Sequence, residues 1–297
     1  MVQNIRSQCQ PSFRQYAAVP FELPASCYHT PLLPEISLPV VSVVTPSLNQ
    51  AAFLERTISS VCGQNYPKLE YVIQDGGSID GTCHILERYR HALTHVESYR
   101  DNGQAHAINL GFRHATGDIM AWLNADDMLL PGAIAYISRF FGQHPDVDVV
   151  YGYRICLDEH DDEIGRWVIA PAAESVLPWA NYIPQETLFW RRRIWDRVGK
   201  QLDESFQFAM DWDLLLRFRE VGARFACLPR FLGAFRVHNA QKTHVWDDVG
   251  RREAARLHVR CHGRAVEWLE VRYQVRRYLI RTAWYMLRQR LKIRQYS

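Results

Sequence analysis

Hydrophobic positions along the first half of the chain switch repeatedly between two periods. The stretch VVSVVT (40–45) is short, β-branched and bounded by Pro39 and Pro46, which predicts a buried strand. After PSLNQ, residues Phe53, Leu54, Ile58 and Val61 fall on one face of a helix that Asn49 could cap. YVIQD (71–75) predicts a second strand, closed by the glycine-rich turn GGSIDG. Residues 82–91 predict a helix, 94–98 a strand, 103–115 a helix and 118–123 a fourth strand. A helix from Pro131 to Phe141 and a strand over 147–152 continue the alternation. Strands alternating with helices of this length predict an α/β fold with a mostly parallel sheet flanked by helices. Ligands of such sheets bind beyond the carboxyl ends of the strands. That rim gathers TPSLNQ, Asp75 and the NADD of residues 124–127.

Outside this region the pattern changes. Residues 1–38 hold five of the 14 prolines and no sustained period, which predicts an irregular lead-in. Residues 39–244 are expected to form the α/β domain. Residues 245–297 are expected to form a basic helical extension, with no proline from Arg251 to Ile293 and Gly263 as the lone interruption. Residues 251–297 carry 13 Arg and Lys against three acids, so a chain total of +3 leaves −7 on the other 250 residues. Val266, Leu269, Tyr273, Tyr278, Ile280, Trp284 and Leu287 suggest amphipathic helices with arginines on the wet side. Such a helix can lie on an anionic bilayer or pack on the domain, and the sequence leaves both open.

Composition narrows the class. With 47% hydrophobic and 23% charged residues the chain reads as a soluble globular protein. Seven cysteines without a C-x-x-C pair argue for reduced thiols and a cytoplasmic setting. No apolar run is long enough to span a membrane, which leaves peripheral contact at its inner face. No nucleic-acid recognition motif accompanies the basic tail.

The chemistry centres on MAWLNADDMLLP (120–131), where a buried strand runs into Asn124, Asp126 and Asp127. Adjacent carboxylates repel unless something positive is bound. A helix cap explains one acid before Pro131, whereas hard oxygen ligands for Mg²⁺ or Mn²⁺ explain the crowd. Met210, Leu214, Phe218 and Val221 set a further helix with Asp211 in its first turn, where the dipole favours an ionised base. Asp213 is four residues before Arg217, a pairing that holds a helix.

Four segments, VSVVTPSLNQAAFLERTISSV, EYVIQDGGSIDGT, DNGQAHAINLGFRHATGDIMAWLNADD and FRVHNAQKT, stand in order between about Val40 and about Thr243. Together they resemble the inverting family 2 glycosyltransferases, whose fold is called GT-A. The resemblance implies a UDP-, GDP- or dTDP-sugar donor, Mn²⁺ or Mg²⁺, and a glycan or lipid-linked acceptor. It implies nucleotide contacts from Thr45, Pro46, Ser47, Asp75, Asp101, Asn124, Ala125 and Asp126, and metal ligation by Asp126 and His238. Arg236 and Lys242 would face diphosphate oxygens. Asn124 replaces the first acid of the family's Asp-x-Asp motif, and Met210 replaces a Glu beside the base, Asp211. Gln185, Glu186 and Trp190 stand where acceptor contacts are expected, although tryptophans there and at 179 also suit a core. Asp75 equally suits a turn before two glycines.

Rival classes fare worse. A nucleotidyltransferase needs a Gly-rich phosphate loop with Lys or Arg after the first strand, and a dinucleotide oxidoreductase needs G-x-G-x-x-G there; TPSLNQ offers neither. A non-catalytic sugar- or nucleotide-binding protein of the same fold is the remaining alternative.

Overall fold

The computed structural model describes residues 13–23, 38–171, 174–239, 241–242 and 247–293. Most of the lead-in, with Cys9 and Cys27, and the 244/245 boundary lie outside them. Nine strands form one mixed sheet: β1 (Val41–Ser47), β2 (Leu69–Asp75), β3 (His95–Ser98), β4 (Ile119–Trp122), β5 (Met128–Leu129), β6 (Val149–Leu157), β7 (Glu163–Trp167), β8 (Phe189–Arg191) and β9 (Phe225–Arg236). Their order is β3-β2-β1-β4-β8-β6-β9-β5, with β7 on β6. From β3 to β4 the pairing is parallel, and antiparallel β8 then hands over to a β6–β9 parallel pair.

β1 is buried at all seven positions because the sheet is covered on both faces. Val41, Val43, Tyr71, Ile73, Ile119 and Ala121 face one apolar cluster. Val44, Val72, Met120 and Trp122 face the other, as strand alternation requires. Three helices, α1 (Leu54–Cys62), α2 (Thr82–Tyr89) and α4 (Ala133–Gln143), cover the first face through Ile58, Leu86, Ile137 and Phe141. On the second lie α3 (Gln104–Arg113) and α6 (Met210–Glu220), bringing Ile108, Phe112, Leu214 and Phe218; the short α5 (Arg192–Arg197) follows β8. Gly111 lets α3 approach β1, since a Cβ there would collide with the Val44 side chain.

Two loops form the rim. Asn49 does not cap α1; it takes a left-handed backbone (φ 52°), and Phe53 occupies the cap position. The Asn49 amide N–H donates to Ser78 Oγ (2.7 Å), while Asn49 Oδ1 accepts from Ile79 N (3.0 Å). Asp80 accepts from Ala51 N at 3.0 Å, so the glycine-rich turn after β2 clamps the loop after β1.

The described part of the lead-in is docked. Gln15 N donates to Ile164 O (2.7 Å), Val19 bridges Glu163, and the Phe13 ring stacks on Trp167 with centroids 5.1 Å apart. At the other end, α7 (Asp247–His262) and α8 (Trp268–Ile293) are separated by Gly263 at φ +69°, a left-handed helix stop. Leu257, Val271 and Val275 from these helices are buried in the same cluster as α6.

Candidate active site

A cavity of about 460 Å³ opens where β1 and β4 end. Pro46, Ser47, Leu48 and Gln50 wall it from the β1 side, and Asp101, Gly103 and Gln104 from the entry to α3. Asn124 to Asp127, Asn181 to Glu186 without Tyr182, Met210, Asp211 and Lys242 complete most of the rest. The Ser47 hydroxyl is buried on this wall with no hydrogen-bond partner among the described residues.

Chain segments far apart meet here because β5, only two residues long, runs antiparallel to β9 with Met128 opposite Ala234. That register sets the residues before β5 against those after β9. His238 Nε2 therefore lies 3.0 Å from Asp126 Oδ2, although the two are 112 positions apart. The Asp126 carbonyl accepts from Arg236 Nη1 (2.6 Å), and the His238 ring is backed by Phe53, centroids 4.6 Å apart. Here the protein contributes two ligand atoms of metal type. Another group of that type among the described residues, His95, Glu97 and His114, stands at the β3 edge away from the cavity wall.

The adjacent acids are split between two environments. Asp126 faces the cavity, whereas Asp127 is buried. Burial, then the charges of Asp126 and Glu186, push the Asp127 carboxyl well above its ordinary range, with Arg154 and Asn124 pulling the other way. Arg154 and Glu186 form a buried two-pronged ion pair, with Nε to Oε1 at 2.6 Å. The guanidinium also sits 4.5 Å above the Phe235 ring.

Asn124 is the hub of this wall. Its Oδ1 accepts from Gln104 Nε2 (2.7 Å), and its Nδ2 donates to Asp127 Oδ2 (3.1 Å) and Gln185 Oε1 (3.0 Å). A carboxylate in this position could donate to neither acceptor and would add a third charge beside two acids. That accounts physically for an amide here.

Asp211, in the first turn of α6, lines the same cavity. Its Oδ2 accepts from Asn181 Nδ2 and its Oδ1 from Trp212 N, both at 2.8 Å. Both carboxylate oxygens are thus held by donors, and the group's direction is fixed at the start of the helix. Glu253 of α7 accepts from the amides of Gln207, Phe208 and Ala209 at 2.7–2.9 Å, so the extension holds the segment that leads into the helix carrying Asp211. Asp213 is fully buried between Arg217 and Arg260, a structural pairing off the cavity.

Residues 42–208 match the family model described as Glycosyl transferase family 2, more than half of the chain. The chain belongs to glycosyl transferase family 2. Among relatives of this family 2 member, a PGL/p-HBAD biosynthesis glycosyltransferase of Mycobacterium bovis is 30% identical over 186 residues, 61% of this chain and 70% of that one. An uncharacterized glycosyltransferase of Rickettsia typhi is 26% identical over 217 residues, 70% and 67% of the two chains. Of solved structures, S. aureus TarS 1–349 in complex with UDP-GlcNAc superposes with a TM-score of 0.63 at 18% identity, covering 82% of this chain and 72% of that one. The chain spans 43% of the longer TarS structure. The Pyrobaculum calidifontis mannosyltransferase PcManGT, in complex with GDP-Man and Mn2+, gives 0.59 at 23% identity, covering 82% and 70%. At these identities the structures show the fold alone, and that fold is GT-A.

Within this family 2 domain the cavity wall receives Pro46, Ser47, Asp101, Asn124, Ala125, Asp126, Gln185, Glu186 and Asp211, with His238 behind Asp126. Three other anticipated contacts lie behind it. Thr45 is fully buried, its hydroxyl 3.0 Å from Tyr71 Oη. Asp75 is fully buried and accepts from Gly77 N, Ser78 N, Ser78 Oγ and Ser98 Oγ at 2.5–3.1 Å, so as placed it builds the turn. Trp190 is core, its ring 5.6 Å from Trp122 and 5.8 Å from Phe218. Glu186 reaches the wall with its carboxylate already bound by Arg154. Sequence reasoning missed Arg154, Asn181, Gln104 and Phe13; Gln104 stands in the DNGQA segment three residues after Asp101 and could have been found there, whereas the other three lie outside the four quoted segments.

Proposed function

We propose that this family 2 glycosyltransferase moves a sugar from a nucleotide-diphosphate donor to an acceptor hydroxyl with inversion, in one displacement. The observation that carries the reading is that Asp126, backed by His238 at 3.0 Å, and Asp211 line one cavity. Pro46, Ser47 and Asp101 are the nucleotide side of that cavity. TarS in complex with UDP-GlcNAc or UDP, and PcManGT in complex with GDP-Man, support a nucleotide-sugar donor, for which UDP-, GDP- and dTDP-sugars are the candidates.

One carboxylate oxygen and one imidazole nitrogen suit Mn²⁺ or Mg²⁺ whose other ligands are phosphate and water oxygens. Asp126 and His238 would hold the ion, which when bound supplies positive charge against the leaving diphosphate. Lys242, whose ammonium burial pushes below its usual range against the pull of Glu253, Asp126 and Asp101, adds a cation on the same wall. Asn124 fixes Gln104 and Gln185 on either side of the donor. Asp211 accepts the proton of the attacking hydroxyl, and Asn181 aims its carboxylate. Gln185 and the aromatic wall of Phe13, Phe208 and Phe235 bound the acceptor side, suited to a glycan or lipid-linked acceptor of cell-surface polysaccharide synthesis at the cytoplasmic face.

The test is turnover of a panel of nucleotide sugars with Mn²⁺, with Mg²⁺ and with chelator. Metal-dependent release of nucleoside diphosphate, with product of opposite anomeric configuration, is the expected result. Donor binding by calorimetry without any release would assign the chain to the sugar-binding alternative.

A further inference from the structure

We infer that the outward face of α8 docks on an anionic lipid bilayer. Helix α8 carries two apolar faces rather than one. Val271, Val275 and Thr282 are buried against the catalytic domain. Leu269, Tyr273, Ile280, Trp284 and Leu287 are 72, 60, 70, 53 and 57% exposed. At about 100° per residue these five fall within about 60° of arc, a single stripe along the helix. Large apolar side chains aligned and bare over that length mark a contact surface.

The flanks identify the partner. Arg272, Arg277, Arg281 and Arg288 are exposed beside the stripe. The Arg276 guanidinium lies 3.4 Å from the Tyr273 ring centroid and that of Arg288 5.4 Å from the Trp284 ring. Glu270 is the helix's single acid, and Arg264 neutralises it. Tyr and Trp lying in the headgroup layer, with arginine heads reaching phosphates, is the arrangement an anionic interface rewards. A second copy meeting the same stripe about a two-fold axis would bring arginines against arginines. No helix among the described residues is long and apolar enough to cross a membrane, so the contact is interfacial.

The inference rests on the proposed function in supposing an acceptor held at a surface, but vesicle binding is read without turnover, so each can fail alone. Full-length protein is sedimented with phosphatidylcholine vesicles, with and without phosphatidylglycerol. Wild-type protein should pellet with the anionic vesicles and release from them as salt rises. Ile280→Asn with Trp284→Gln should weaken partitioning on the order of tenfold per side chain, leaving the melting temperature and donor turnover in solution unchanged. Arg277→Glu with Arg281→Glu should abolish the preference for anionic lipid and serves where the first variant folds poorly. Wild-type protein that stays in the supernatant, or variants that pellet like it, overturn the inference. So does a dimer in sedimentation velocity that Ile280→Asn converts to monomer, which assigns the stripe to a second copy.

Discussion

Asp211→Asn separates the base from its surroundings, because the structure fixes what else the change disturbs. The asparagine keeps a carbonyl oxygen for Trp212 N, but its NH₂ then faces Asn181 Nδ2, a donor against a donor. Turning the Asn181 amide over relieves that clash and gives up its Oδ1 bond from Ile183 N, 3.3 Å long. Among the described residues the structural cost is that neutral hydrogen bond, about 0.5–1.5 kcal/mol, or a few degrees of melting temperature for a domain of this size. Losing a general base costs about 10²–10⁴ in rate, equivalent to about 2.7–5.5 kcal/mol in the barrier. The chemical effect therefore exceeds the structural one severalfold. We expect kcat at saturating donor and acceptor to fall by about 10²–10⁴. The Kd of nucleoside diphosphate with Mn²⁺, measured by calorimetry, should stay near wild type. A kcat within about tenfold of wild type would remove Asp211 from the mechanism. A fall in kcat matched by an equal loss of folded protein would refute the reasoning differently, by making the residue structural.

Four other outcomes follow from the geometry. His238→Ala should raise the Mn²⁺ concentration for half-maximal turnover by about tenfold or more, read by metal titration. Arg154→Met leaves Glu186 charged and buried and should cost about 3–5 kcal/mol by chemical denaturation, whereas Arg154→Met with Glu186→Gln should recover most of it. Glu253→Ala strips an acceptor from three backbone amides ahead of α6 and should cost about 1–3 kcal/mol while lowering kcat with little change in donor affinity. A carboxyl whose folded pKa is raised, as Asp127's is, contributes stability at low pH that is lost as pH climbs through the folded value. Asp127→Asn removes that titration, so in metal-free melts the variant should gain on wild type as pH rises above the ordinary carboxylate range.

What the sequence disclosed and what it hid have one physical cause. Strands β1, β2 and β4 were legible because burial on both faces forces an uninterrupted β-branched or apolar run, and α6 because its buried stripe repeats at helical spacing. Such signals are local. The meeting of Asp126 with His238 depends on two residues of β5 pairing with β9, too short a strand to leave a periodic trace. Arg154 and Glu186 stand 32 residues apart, so nothing local pairs the acid expected at the acceptor with an arginine until the fold buries both. Side-chain direction at a strand end is equally non-local. Asp75 turns inward because Ser78 and Ser98 supply hydroxyl donors there, and nothing in YVIQDGG announces Ser98.

The tail shows the opposite failure, in which a local signal is present but merges two messages. Tyr278 and Ile280 belong to one apolar set by composition, yet they lie about 160° apart on the helix axis, since each residue advances about 100°. Tyr278 is half-buried on the domain and Ile280 is bare. A helix that served packing alone would have no reason to keep leucine, isoleucine and tryptophan on its wet side, where arginine would hold it as well and dissolve better. Packing explains one face of α8 and leaves the other requiring a partner. Glu253, on the helix before α8, holds the amides ahead of Asp211, so the extension touches the domain close to the base as well as along the buried face of α8.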